Sequence, residues 1–333
     1  MTSFRLSSRF LALLSFALYL STSVSGCGQQ PHQVNFRVTG ESIIVVPVTI
    51  NGAGPFNFML DTGTTNTLID RKLAEELHLP PAGKRLLSRF QNEAVTPLAH
   101  ADSVSMAGAN VRSLDLLVIN HLADGPPYVH GSLGEDFMRY FDLLIDNRHR
   151  LIQFELGPGP LTDMLAGEQL PLTLNGSNEN EPTENRLIVI GQCIEPGGRE
   201  MKFQLDSGAT RMMLFSGLNT RGVFSSVSTH TVEGPFGLHF EANLQTAHLQ
   251  LGKRLLTETV IVPEGNISPR GADVDGLLPT SLFRSIFISH SGKFVILDPS
   301  AKPKLARSKL PFRPDAAITD GTSNSGKPRR PPE

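Results

Sequence analysis

The stretch Phe58-Met59-Leu60-Asp61-Thr62-Gly63-Thr64-Thr65 sets a carboxylate at the end of an apolar run, followed by a small hydroxyl residue and glycine. One Asp-Thr-Gly says little, because Asp and Gly are common turn residues and a strand-to-strand turn accounts for them. The pattern returns 145 residues later as Phe203-Gln204-Leu205-Asp206-Ser207-Gly208-Ala209-Thr210. Gly131 and Gly276 are separated by the same 145 residues. At that offset Ile43, Ile44, Val45, Phe58, Leu60, Gly63, Thr65 and Leu133 fall on Ile188, Val189, Ile190, Phe203, Leu205, Gly208, Thr210 and Leu278. The period is far above the roughly 20–50 residues of solenoid repeats, so the chain reads as a duplicated domain.

Outward from the first triplet, Ile43 to Ile50 and Phe56 to Leu60 flank the turn residues Asn51 to Pro55 and predict a hairpin. Asp70 to Leu79 predicts a short helix stopped by Pro80-Pro81. Gly, Pro, Asn and acidic residues between Gly157 and Arg186 suit a connector, with an edge strand at Leu170 to Leu174 inside it. The resulting division is a first lobe over 41–156, a linker over 157–185, a second lobe over 186–300 and a tail over 301–333. From Lys302 on, the tail carries eight basic and three acidic residues among Pro, Gly and Ser, the composition of a solvated, disordered end.

The chain start reads as a targeting segment. Arg5 and Arg9 precede the apolar run Phe10 to Leu20, which is short for a membrane span. Val24-Ser25-Gly26-Cys27 resembles the bacterial lipobox, which implies a signal peptide over 1–26, lipid on Cys27 and a tether over 27–40. An ordinary secretory signal cut near Ser25 or Gly26, with Cys27 an incidental thiol, is the alternative. Loss of Arg5 and Arg9 leaves a charge of −4, so no basic field recruits nucleic acid. Two Cys and no Cys/His pair at ligand spacing argue against a disulfide framework or a structural zinc. With Cys27 lipidated, Cys193 suits a small buried hydrophobe in a strand.

The paired triplets resemble the aspartic protease clan, in particular bacterial relatives of retroviral proteases with two lobes in one chain. Gly131-Ser132-Leu133-Gly134-Glu135-Asp136-Phe137 and Asp275-Gly276-Leu277-Leu278-Pro279-Thr280-Ser281-Leu282-Phe283 match the Gly-led segment near the end of such lobes, with Pro279 departing from Gly134. The resemblance implies an all-β fold of two homologous barrel lobes with a short helix each. It also implies Asp61 and Asp206 facing each other across a cleft as the catalytic pair of an endopeptidase. Two carboxylates about 3 Å apart cannot both ionise, so one holds a proton while the other acts as base. Gly63 and Gly208 let the backbone approach the carboxylates and offer N–H groups to the anion. By the resemblance, Thr62 and Ser207 cross-brace the two loops, and Phe90 and Phe236 are the flap positions, though strand-face packing explains those two equally well. A peptide or protein substrate, no cofactor, no metal, a monomer, and membrane attachment only through lipid at the bacterial cell envelope complete the expectation. An alternative monomer-breaking arrangement pairs Asp61 with Asp61 of another chain.

Rival readings fit less well. Asp206-Ser207-Gly208 has Leu205 where a trypsin-like serine protease has Gly, and Ser132 lacks the Gly-x-Ser-x-Gly context. Asp61-Thr62-Gly63-Thr64 lacks the Lys of the phosphorylated motif of P-type pumps. His230, His239 and His248, nine apart, match no metalloprotease spacing. Asp142 and Asp146 frame a strand and read as turn or edge residues. The main alternative function is a catalytically silent duplicated fold serving as a periplasmic or surface binding module.

Overall fold

The computed structural model describes residues 32–89, 92–122, 128–175, 186–194, 198–215, 229–234, 238–264 and 274–302. The expected signal peptide, Cys27, both Phe flap positions and the tail beyond 302 lie outside them. The chain is all-β, with short helices at Arg71–Glu76, Glu135–Met138 and Pro160–Met164 among the described residues.

Strands of the first half form an eight-stranded sheet that closes on itself where Thr49 and Ile50 pair with Ser105 and Val104. In the second half, closure comes from Gln192 and Cys193 pairing with Gln250 and Leu249. Between the two runs a six-stranded antiparallel stretch: His32–Asn35, Leu151–Leu156, Phe141–Asp146, Ser285–Ser289, Phe294–Leu297 and Gln169–Asn175. Its centre is the pairing of Leu143 with Ile288, residues that are themselves 145 apart, so the repeat's pseudo-twofold axis runs through that pair. One continuous apolar cluster includes Phe58 and Leu60, Phe154 and Ile288, and Phe203 and Leu205, and so runs through both barrels and the sheet joining them.

Repeat and structure agree closely around the triplets. Phe58, Met59 and Leu60 pair in parallel with Gly131, Ser132 and Leu133, and Phe203, Gln204 and Leu205 pair in parallel with Gly276, Leu277 and Leu278. Both glycines are needed for this crossing. A Cβ on Gly131 would fall closer than 3.0 Å to the Phe58 ring and the Leu68 carbonyl, and one on Gly276 would strike the Met213 carbonyl.

Four expectations need correction. In the first strand of each half the offset is 143, since Phe58 faces Val46 and Phe203 faces Val189. The second hairpin's connection is two residues longer, and a shift of two keeps every side chain on its original face. Residues 32–39 are strands rather than a tether, because Val34 and Phe36 bury their side chains in the common core. Of the stretch 157–185, the described residues 157–175 are more than a connector: Leu161 is buried, Glu155 accepts the Leu161 N–H at 2.9 Å to cap that helix, and Leu170 and Leu172 extend the core. Asp142 lies on a central strand, fully buried. It accepts from Ser289 Oγ at 2.9 Å, from Ser291 N at 2.9 Å and from Ser291 Oγ at 2.7 Å, which ties the first half to the second.

The helix after the first triplet runs Arg71–Glu76, with Asp70 as its N-cap accepting from Lys72 N. Where Pro279 replaces Gly134, the second half has a three-residue 3-10 turn, Thr280–Leu282, instead of an α-helix. Cys193 is buried in its strand. No helix among the described residues is long and apolar enough to cross a membrane.

Candidate active site

Each Asp-x-Gly loop is delivered to the midline by a strand of its own barrel, and the loops are bound to each other by four buried hydrogen bonds. Ser207 N donates to Thr62 Oγ1 at 3.0 Å, and Thr62 N donates to Ser207 Oγ at 3.0 Å. Thr62 Oγ1 donates to the Leu205 carbonyl at 3.0 Å, and Ser207 Oγ to the Leu60 carbonyl at 2.7 Å. Every bond has its mirror image at the 145-residue offset, so the brace obeys the pseudo-twofold axis. A hydroxyl both donates and accepts, which is why Thr and Ser serve equally here.

The brace sets each glycine against the opposite carboxylate. A Cβ on Gly63 would lie closer than 3.0 Å to the Asp206 carboxylate, and one on Gly208 within 3.0 Å of that of Asp61. Each carboxylate also accepts from its own loop: Asp61 Oδ1 from Gly63 N at 2.9 Å, Asp206 Oδ1 from Gly208 N at 2.7 Å and from Ala209 N at 3.0 Å. Burial and the neighbouring Asp206 charge hold the Asp61 carboxyl well above the usual carboxylate range. Burial also raises that of Asp206, against the pull of its two backbone donors. The pair therefore keeps a proton at pH values where separate aspartates would have lost theirs.

The halves differ in what surrounds the pair. Ser132 Oγ lies 3.5 Å from Asp61 Oδ2, whereas the equivalent residue beside Asp206 is Leu277. Gln204 Nε2 donates across the midline to the Gly63 carbonyl at 2.7 Å, and its counterpart Met59 has no N–H to give. The first loop is further anchored by Asp136, which accepts from Thr67 N at 2.9 Å and Thr67 Oγ1 at 2.6 Å. Next to it Glu135 meets His290 of the second half at 2.9 Å, both buried, while His290 Nδ1–H donates to the Phe141 carbonyl at 2.6 Å. Ser132, Gln204, Glu135, Asp136 and His290 have no role assigned by the sequence motifs, although Ser132, Glu135 and Asp136 lie within the Gly131 to Phe137 segment. Laying the halves over each other at the repeat offset, which sets Ser132 on Leu277 and Met59 on Gln204, is the signal that finds the first two.

Paired strands stand at each expected flap position, Pro81–Arg89 with Asn92–Met106 and Thr229–Gly234 with Leu238–Leu251; Phe90 and Phe236 lie outside the described residues. Among the described residues no group of three His, Cys, Asp or Glu side chains could hold a metal ion.

The site's acids give stability a definite pH dependence. Burial pushes Asp136 up to about 6 from 3.8, so between those values the folded protein keeps a proton that the unfolded chain has released. Stability then falls as pH rises from about 4 to about 6, by about 3 kcal/mol from this group. Glu135, raised by burial, acts in the same direction. For His290, burial lowers the pKa, but the Glu135 carboxylate and the Phe141 carbonyl outweigh it and leave it raised. Its contribution is complete below its unfolded value and is lost as pH rises through the folded one. Asp146, lowered by His149 despite partial burial, has the opposite sign and loses its contribution in strong acid. The melting temperature is expected to be higher at pH 4.5 than at pH 7.5, with a flatter profile for Asp136→Asn, both read by calorimetry.

Residues 46–137 match the family model described as aspartyl protease. That segment carries Asp61-Thr62-Gly63 and runs to Phe137, so it covers most of the first barrel. A solved retropepsin-like aspartic protease from Rickettsia conorii is 14% identical to the chain, spanning 39% of it and 95% of the Rickettsia chain, at a TM-score of 0.29. No curated protein matches the chain.

Proposed function

We propose that the chain is an aspartic-type endopeptidase of the retropepsin-like kind, hydrolysing peptide bonds with a water activated between Asp61 and Asp206. The observation that carries this reading is the reciprocal Thr62–Ser207 brace, which holds the two carboxyl groups, both of raised proton affinity, against each other's glycine. The family match over 46–137 supports it.

In the hydrolysis the ionised carboxylate takes one proton from water as the water oxygen bonds to the scissile carbonyl carbon. The protonated carboxyl gives its proton to the carbonyl oxygen, forming a gem-diol. On breakdown the C–N bond breaks, the amine nitrogen takes the proton held by the first carboxyl, and a gem-diol hydroxyl returns a proton to the second. The pair ends with one proton, as it began. Each half supplies one carboxyl, so neither barrel alone can complete the cycle.

The test is incubation of residues 28–333 with an unbiased peptide mixture across about pH 3 to 8, a range that brackets titration of such a pair, with cleavage mapped by mass spectrometry. Cleavage confined to the acidic part is the expected result; a folded protein that cuts nothing at any pH overturns the reading. Location at a bacterial cell envelope belongs to the same proposal and draws on Phe10 to Leu20 and Cys27. Full-length protein made in a bacterium is expected to incorporate labelled fatty acid, and Cys27→Ser to lose the label.

A further inference from the structure

The brace is symmetric, but the hydrogen bonds reaching the two carboxylates are not. At Asp206 both loop N–H groups turn inward, Gly208 N at 2.7 Å and Ala209 N at 3.0 Å, onto the same oxygen. At Asp61 only Gly63 N does so. Thr64 N, the counterpart of Ala209 N, instead donates to the main-chain carbonyl of Asp61 at 3.3 Å. What Asp61 has in its place is the Ser132 hydroxyl, at 3.5 Å from the other oxygen, Oδ2. A backbone N–H can only donate, so it favours a charged oxygen. A hydroxyl on a rotor can donate to a carboxylate or accept from a carboxylic acid. Asp206 is 9% exposed, and that burial by itself opposes a charge there. Two short bonds from fixed donors to a charged group, each worth about 1.5–3 kcal/mol, offset part of that cost and make the charge easier to hold at Asp206 than at Asp61, which has one such donor.

Resting on the peptidase reading, we propose that Asp61 carries the pair's single proton and Asp206 is the ionised member that takes the proton from water, and that Ser132 is a positioning residue which donates to Asp61 Oδ2 once that proton has passed to the substrate carbonyl. Ser132 is fully buried at the crossing with Met59, so its hydroxyl has little freedom to move away. Leu277 offers Asp206 nothing comparable, and Asp206 needs nothing comparable, because it is already charged when substrate arrives. Raised proton affinity at Asp61, from burial and from its neighbour's charge, agrees with this order.

The experiment is a titration of the intact protein labelled with 13C at the aspartate carboxyl carbon, with the two signals assigned from Asp61→Asn and Asp206→Asn. In the one-proton state, the Asp61 carbon is expected at the neutral position and the Asp206 carbon at the ionised one; equal intermediate shifts, or the reverse order, overturn the assignment. Ser132→Ala is expected to move the Asp61 titration to higher pH and leave that of Asp206 in place. With substrate it is expected to lower kcat about tenfold at unchanged KM, the size of one hydrogen bond to a charged group. Ser132→Thr restores the hydroxyl and both properties; an Asp61 titration unmoved by Ser132→Ala, with circular dichroism unchanged, removes Ser132 from the mechanism. The titration requires no turnover, so a protein that cleaves no peptide overturns the peptidase reading while these signals still decide the proton's place.

Discussion

Asp61→Asn and Asp206→Asn are each expected to remove peptide hydrolysis almost completely while leaving the protein folded. Asparagine has nearly the shape of aspartate and can still accept the loop N–H at Oδ1, so the 2.9 Å bond to Gly63 N and the 2.7 Å bond to Gly208 N can both survive. What disappears is the proton exchange between the two groups. General acid–base assistance typically supplies about 10²–10⁴-fold, and the pair works as a unit, so either single variant should forfeit the acid and the base contributions together. Steady-state assays of both, beside circular dichroism, make the check. A variant that kept most of the wild-type rate would leave hydrolysis without its source, and a ligand-binding role would then have to explain the site. Both variants should also melt at higher pH values than the wild type does, because a buried amide has no charge to resist.

The largest effect on stability is expected from Thr62→Val. Valine fills the same volume but neither accepts from Ser207 N nor donates to the Leu205 carbonyl, and both of those groups are buried. A buried polar group left without a partner costs about 1–3 kcal/mol, so the variant should lose about 2–5 kcal/mol in all. In a protein of this size that corresponds to a fall in melting temperature of about 5–15 °C. Thr62→Ser is the control. The second half uses serine at this very position, so that variant should stay within a degree or two of wild type. A Thr62→Val protein melting with the wild type would mean the brace contributes nothing to holding the barrels together.

Much of this architecture is legible in the sequence because its signals are local. An apolar run ending in Asp-x-Gly fixes both the strand and the loop it feeds, and the 145-residue offset then locates the crossing segments at Gly131 and Gly276. Thr62 and Ser207 follow from the resemblance as residues bridging the two loops, while their bonds to the Leu205 and Leu60 carbonyls do not. The sheet joining the barrels was harder to read. Val34, Phe36 and Val38 alternate with polar neighbours, a strand pattern, but so near an expected lipid-bearing cysteine the segment passes for a tether. The asymmetric features are harder again. His290 falls opposite Ile145 in the repeat, and only the chain's path through the central sheet brings it to Glu135. Asp142 looks like a strand-end polar residue until Ser289 and Ser291 arrive from 147 and 149 residues away.

The central pairing of Phe141–Asp146 with Ser285–Ser289 joins two halves of one polypeptide. Had two copies of a half-length chain met along that seam, a single gene segment would have written both loops, and any mutation at Ser132 would have appeared beside both carboxyls at once. Encoded in tandem, the halves are inherited as separate texts. Leucine at 277, glutamine at 204 and histidine at 290 are changes that only such a chain can accept on one side of its axis without imposing them on the other.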